Sequence, residues 1–204
     1  LEPRKGLRIF NVLNKARRHK IKVMNLKFIK ELGFEYVAYP FLVNEGKNYK
    51  FAKLREDGEI KDIRGKKGKV QGRRLDEGYW VYTFVEFNSN TQDWEVIYIG
   101  KAEGQGGLEG RFSSYMSGNP KHNKKNGPQN RAMYQRMLEW LPQGRQIRIY
   151  GWPVPQTYTT KTYFGIEKTF PVQDAKWYEY ALLERYEKMN GQLPLLNTQS
   201  NYNQ

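Results

Sequence analysis

Hydrophobic and polar positions change their period several times along the 204 residues, and each change marks an element. Between residues 7 and 32 the apolar positions recur at helical spacing. Leu7, Phe10 and Leu13 form one set, and Val23, Leu26 and Ile29 form another after the basic run Arg17, Arg18, His19, Lys20. This predicts two short helices, the second stopped at Gly33, because glycine enters the left-handed conformation that ends a helix without a side-chain clash. Residues 34–43, 49–54 and 59–63 are rich in aromatic and β-branched types and predict three strands, joined at 44–48 and by Asp57-Gly58. Residues 64–74 scatter glycine among Lys and Arg, which predicts a basic linker that buries nothing.

Farther on, 80–87 and 94–99 read as a hairpin around a polar turn, and the Gly-rich stretch 104–107 leads into a helix over 108–116. Residues 117–129, with Asn119-Pro120 and Gly127-Pro128, predict a polar loop. Met133, Met137, Leu138 and Leu141 share one side of a helix over 130–141, followed by a strand over 146–152. The Thr-, Tyr- and Lys-rich stretch 153–172 is bracketed by prolines and fits neither period. A last helix over 174–190 runs from Asp174, a capping residue, to Gly191. Together these elements predict an α+β fold, a small mixed β-sheet flanked by helices and preceded by a basic helix and β-hairpin element.

Charge divides the chain unevenly. Residues 1–75 hold 21 Lys/Arg against 8 Asp/Glu, and residues 76–204 hold 14 against 13, so nearly all of the formal +14 is N-terminal. The step coincides with the basic linker and predicts two domains, a DNA-binding element over 1–75 and a second domain over 76–204. A field of this sign selects polyanions, since each neutralised phosphate releases a counterion. Double-stranded DNA is the expected partner, with Arg17, Arg18, Lys20, Lys66, Lys67, Lys69, Arg73 and Arg74 on its phosphates and Lys121, Lys124 and Lys125 following the backbone. An anionic membrane is the poorer fit because the basic segments lack a wide apolar face. No run approaches the roughly 20 apolar residues that span a bilayer, and residues 1–5 carry no apolar leader core, so the expected location is cytoplasmic, with DNA. Zero cysteines and two histidines exclude a disulfide framework, a thiolate nucleophile and Cys-based zinc sites.

Four short motifs follow one another in the second part: Tyr98-Ile99-Gly100-Lys101-Ala102 on the hairpin that also carries Tyr82, then Leu108-x-x-Arg111-x-x-x-Tyr115, Ala181-Leu182-Leu183-Glu184 and Pro194-x-x-Asn197. In order and spacing they resemble the GIY-YIG endonuclease superfamily, nearest to the cutting module of bacterial excision-repair incision nucleases, over about residues 78–200. Two departures stand out: Trp80 occupies the family's glycine position in Trp80-Val81-Tyr82, and 16 positions separate the two tyrosines. The resemblance implies an endonuclease dependent on Mg²⁺ (or Mn²⁺) that hydrolyses phosphodiester bonds in duplex DNA. It implies Glu184 as the metal ligand, Arg111 as the grip on the scissile phosphate, and Tyr82 as the activator of water with Tyr98 positioning the phosphate or sharing that role. A phenol with its ordinary pKa of about 10 needs a nearby cation to act so, and Lys101 is the expected one. Tyr115 is implied as a hydrogen-bond partner or second phenol. Asn197 is implied to hold the water shell of the metal or the Glu184 carboxylate.

Each residue also has a plainer reading. A hairpin tyrosine is usually packing material, and Arg111 beside Phe112 and Tyr115 suits a structural ion pair. Trp177, Ala181, Glu184 and Lys188 share a helix face, which places Glu184 on the side of a tryptophan expected to be buried and puts Glu179 and Glu187 on other faces. His122 is a rival base, set in a polar loop that offers little rigid support. Three functions remain: a free-standing site-specific nuclease of restriction or homing kind, a structure-selective repair or recombination nuclease, and a DNA-binding protein that does not cut. With one site per chain, cutting both strands requires a homodimer or two successive nicks.

Overall fold

The main sheet is built largely from stretches rich in aromatic and β-branched residues. The computed structural model describes residues 24–54, 60–63, 68–104, 106–117, 128–172 and 174–197. The expected first helix and Arg17, Arg18, His19, Lys20, Lys66, Lys67, Lys121, His122, Lys124 and Lys125 lie outside the described residues. The elements run α1 (Leu26–Glu31), β1 (Glu35–Val43), β2 (Asn48–Leu54), β3 (Ile60–Asp62), β4 (Lys69–Val70), β5 (Arg73–Arg74), β6 (Trp80–Asn88), β7 (Asp93–Ala102), α2 (Gly107–Met116), α3 (Pro128–Trp140), β8 (Ile147–Pro153), β9 (Thr157–Tyr163), β10 (Ile166–Val172) and α4 (Ala175–Asn190).

Six strands form one sheet in the order β3-β2-β1-β8-β6-β7. The α+β class is as expected, but the sheet is antiparallel in all five pairings rather than mixed, because β8 returns between β1 and β6 running against both. One face packs on α2 and α3 through Leu108, Phe112 and Tyr115, and through Met133, Met137 and Trp140, spaced as helical stripes demand. The other face packs on α1 and α4 through Leu26, Ile29, Leu182, Leu183 and Tyr186. The turn at Gly33 (φ 87°) ends α1 as its sequence predicts.

The expected boundary at 75 does not divide the sheet, since β1 to β3 lie before it and β6 to β8 after it. The reason is aromatic: Phe51 on β2 stacks on Phe112 of α2 at 4.7 Å between centroids and meets Phe84 of β6 at 6.3 Å. Charge steps along a chain report on its surface, whereas the core is shared by both sides of this one.

Two further expectations change. The basic linker folds in its second half into the hairpin β4–β5, turning at Gln71 (φ 49°) and Gly72 (φ 75°), and it buries Val70 against Leu75 and the main core. The unassigned stretch 153–172 is a second hairpin, β9–β10, which forms its own two-stranded sheet. Asp174 does not cap α4 with its side chain; the carboxylate instead accepts a hydrogen bond from Thr157 at 2.7 Å.

Candidate active site

β7 is an edge strand, and a cleft of about 790 Å³ lies along that edge, bounded by α2 on one face of the sheet and α4 on the other. Tyr98 and Lys101 of β7, Arg111 of α2, Glu179 of α4 and Asn197 of the tail all line it.

Tyr82 and Tyr98 lie on adjacent strands, and Tyr115 faces them from α2. The three hydroxyls form a chain: Tyr82 and Tyr115 share a hydrogen bond of 2.5 Å, and Tyr115 donates to Tyr98 at 3.1 Å. Arg111 closes the chain from the far end, its Nε donating to the Tyr82 hydroxyl at 3.2 Å and its guanidinium lying 4.8 Å from the centre of the Tyr115 ring. Both ends of the chain, Tyr98 and Arg111, line the cleft, while Tyr82 and Tyr115 are fully buried behind them.

Burial dominates the electrostatics here. It pushes the Tyr82 phenol upward, with Tyr98 adding to the rise and Arg111 opposing it. Burial raises Tyr98 and Tyr115 likewise, followed by their coupling to Tyr115 and Tyr82 respectively. Burial opposes the charge of Arg111, but Tyr82 and Tyr115 outweigh it and hold the guanidinium protonated. All three phenols therefore keep their protons at neutral pH. The expectation that Lys101 lowers the Tyr82 pKa is not met: the Lys101 ammonium pairs with Glu103 at 3.1 Å, and Tyr82 sits behind the wall rather than on it.

Gly100 explains how the phenols fit. A Cβ there would lie 2.7 Å from a Tyr98 ring carbon and 2.8 Å from the Tyr82 hydroxyl oxygen. Gly100→Ala is expected to destabilise the fold by about 1–3 kcal/mol through overpacking and to splay the phenol chain. A thermal melt checks the first effect, and an unchanged melting temperature would count against it.

Two carboxylates line the cleft, Glu179 of α4 and Glu103, which pairs with Lys101; Glu184 does not line it. The Glu184 side chain is 59% exposed and pairs with Lys188 at 2.5 Å on the outer face of α4. Trp177, expected to bury that face, is itself 66% exposed. The buried stripe of α4 runs through Ala175, Leu182, Leu183 and Tyr186, and Glu179, four residues after Ala175, falls on it. That i, i+4, i+7, i+11 stripe was the sequence signal for Glu179. Desolvation raises its carboxyl to about 7, against the opposing pull of Lys101 and Arg111, and the Lys101 backbone N–H donates to it.

Asn197 does not reach Glu184 either. Its side chain accepts from the Ile99 N–H at 2.9 Å and donates to the Ile99 carbonyl at 2.8 Å, and Leu196 N–H bonds the Ile97 carbonyl at 2.9 Å. The tail thus pairs the open edge of β7 where it passes the cleft. Asn197→Ala leaves both Ile99 groups short of a partner, with an expected loss of about 1–3 kcal/mol, read as a drop of several degrees in melting temperature.

Of the described basic residues expected on DNA, Lys69 is exposed on β4, while Arg73 and Arg74 are engaged within the fold. Arg73 donates to the Val154 carbonyl at 2.6 Å, and Arg74 binds Asp76 through Nε at 2.9 Å and Glu77 at 3.0 Å. Arg73 ties the β4–β5 hairpin to the chain just after β8, while Arg74 is held by the carboxylates that follow it in sequence.

No protein-family model and no curated protein matches the chain. Among solved structures, it is similar to a variant of bacteriophage T4 EndoII carrying one Glu-to-Ala change, with TM-score 0.50 and 12% identity over 79% of this chain and 93% of that one. The restriction endonuclease HPY188I in complex with product DNA gives TM-score 0.45 and 18% identity over 87% of this chain and 88% of that one. At 12% identity the likeness to EndoII is one of fold.

Proposed function

We propose that the chain is a divalent-metal-dependent DNA endonuclease of the GIY-YIG type, which hydrolyses phosphodiester bonds of duplex DNA in the cleft at the β7 edge. One observation carries this reading: a carboxyl titrating near 7, a protonated guanidinium and a chain of three phenols converge on one cleft from α4, α2 and the hairpin. A purely structural cluster would pair Arg111 with a carboxylate of its own. Here the guanidinium bonds a neutral phenol and brings its charge to the cleft that it shares with Glu179. The fold shared with EndoII and the excess of positive charge before residue 75 support the same reading.

The donor set fits a hard cation. The described residues that line the cleft include carboxylates but neither His nor Cys, a donor set suited to ions that prefer oxygen ligands. A single desolvated carboxylate suits Mg²⁺ or Mn²⁺, which keep most of their waters, and Glu179 would hold the ion. When bound, such an ion supplies charge neutralisation at the phosphate and the leaving oxygen. Arg111 presents a planar fork to the nonbridging oxygens, and Tyr98, on the cleft wall, donates to the same phosphate. Tyr115 and Tyr82 act through these two by fixing their hydroxyl and guanidinium directions. Protonated phenols serve as donors, so the base role expected for Tyr82 is not retained.

Within this reading the enzyme is site-specific, of restriction or homing kind, and cutting both strands would require a homodimer or two successive nicks. Conversion of supercoiled plasmid in Mg²⁺ tests the proposal. Equal cutting by the wild type and by Glu179→Gln would overturn it, and comparing uniform, mismatched and branched duplexes separates site-specific from structure-selective cutting.

A further inference from the structure

The exposed large apolar side chains of the described residues are not scattered: all but Leu195 lie between Tyr158 and Tyr178, on the β9–β10 hairpin and the first turn of α4. A concentration of this kind on an element with no core of its own marks an interaction surface. The register of the hairpin says what kind. Lys161 stands directly opposite Lys168, with the pairs Tyr163–Ile166 and Thr159–Phe170 two positions away on the same face. The Tyr163 and Phe170 rings meet edge to face at 6.0 Å across the lysine pair. Like charges directly opposite each other destabilise an isolated hairpin, so this face suits a partner that brings negative charge to both lysines. A second copy of the chain fits poorly. A twofold contact would set the lysine pair against its own image, and interface cores are depleted of lysine.

The position of the hairpin names the anion. Pro153, the last residue of β8, pairs with Trp80, which pairs on its other side with Ala102 at the rim of the cleft. The hairpin therefore leaves the sheet about two strand spacings, roughly 10 Å, from the cleft. Its root is fixed by Thr157 bonding Asp174 and by Arg73 bonding the Val154 carbonyl, and α4 begins at once with Glu179 one turn on. Its seven-residue strands extend about 20 Å, and a two-stranded ribbon fits a groove of duplex DNA. At the tip the two-residue turn has positive φ at both positions, 52° at Phe164 and 81° at Gly165. A bulky side chain rarely occupies that region, and this one is 104% exposed, held out beyond the last strand pair.

We propose that the β9–β10 hairpin is a duplex-DNA-docking ribbon of the cleft, with Lys161 and Lys168 on backbone phosphates and Phe164 as an apolar wedge against the base pairs. The proposal rests on the reading of the cleft as a DNA-cutting site, and its test is made without cutting. Binding of a fluorescein-labelled mixed-sequence duplex is followed by anisotropy in EDTA over a range of salt, and wedging by the fluorescence of 2-aminopurine placed within the duplex. The double variant Lys161→Ala/Lys168→Ala lowers the slope of log K against log salt by nearly two, about 0.9 for each phosphate released. Phe164→Ala weakens binding about tenfold, as expected for loss of one aromatic–base contact, and removes the 2-aminopurine rise seen with wild type. All three side chains are exposed, so unchanged melting temperatures show that the fold is retained. Wild-type protein that fails to bind the duplex, or variants that match wild type in affinity, slope and 2-aminopurine signal, would overturn the proposal. A loss of dimer in sedimentation velocity with DNA binding intact would overturn it too, and would assign the face to a second copy. If the variants lose binding as expected while Glu179→Gln cuts plasmid like wild type, the ribbon stands and the reading of the cleft falls.

Discussion

Glu179→Gln is expected to lower plasmid cleavage by about 10³-fold or more, while Glu184→Ala stays near the wild-type rate. The amide keeps the shape and burial of the side chain but offers no negative charge to a cation, whereas Glu184 faces solvent beside Lys188. The same substitution moves stability in the opposite direction. The Glu179 carboxyl titrates at about 7 when folded, above its ordinary value of 4.5, because burial disfavours the anion. The folded state thus binds more protons than the unfolded state between those values, and stability falls as pH rises through the window. Wild type is expected to melt several degrees lower at pH 8 than at pH 5 from this group, and Glu179→Gln to lose that contribution and melt higher than wild type at pH 8. Cleavage runs the other way, rising with pH through about 7 as the carboxylate forms. A variant that is both inactive and more stable at alkaline pH identifies a carboxylate kept at a folding cost for function. Retained cleavage, or a melting temperature at pH 8 below wild type, would argue that Glu179 is structural.

Arg111→Ala is expected to reduce the maximal cleavage rate by about 10²–10³-fold, the usual cost of removing one preorganised donor from a charged transition state. Arg111→Lys should recover little of it. Lysine restores a charge but not the planar fork, and it cannot bond Tyr82 through Nε while presenting two further donors to the cleft. Both variants leave the Tyr82–Tyr115–Tyr98 hydroxyl chain without its terminal donor, so a melt in the absence of DNA registers the structural share of the loss. Duplex affinity measured in EDTA should fall far less than the rate, because one phosphate contact is a small part of the binding charge. If Arg111→Lys cuts at the wild-type rate, the fork geometry plays no part and a point charge suffices.

Much of the fold was legible in the sequence because the helices and the long strands of the main sheet carry local signals of their own. The hairpin of Tyr82 and Tyr98, the helix of Arg111 and Tyr115, and the Gly191 stop of α4 all lie where local pattern puts them. Three things were not. The split at residue 75 followed charge, yet the strands before it supply Val37, Tyr49 and Phe51 to a core completed by α2 and α3. Removing residues 1–74 would take three of the six strands out of the sheet, so it does not separate binding from cutting. The hairpin β9–β10 defied its period because both faces meet solvent, which removes the alternation that marks a strand. The third was the carboxylate. The motif ends at Glu184 on the solvent face of α4, while the helical stripe through Ala175 and Leu182 already included Glu179.

What the sequence determined by itself is the chemistry available: tyrosines, Arg111 and carboxylates on periodic elements, a basic stretch before residue 75, and no cysteine. Tertiary structure decided which of these groups meet and in what protonation state. Tyr82 is expected from the sequence to act on water, and the fold buries it behind Tyr98, off the cleft lining, where burial raises its phenol. Asn197 is expected at a metal and instead pairs the backbone of β7. Glu179 is one of several helix glutamates until desolvation at the sheet edge lifts it to about 7. Periodicity is a property of neighbours in the chain, whereas proximity and desolvation depend on residues more than sixty positions apart, such as Lys101 and Glu179, being brought to one edge by the sheet between them.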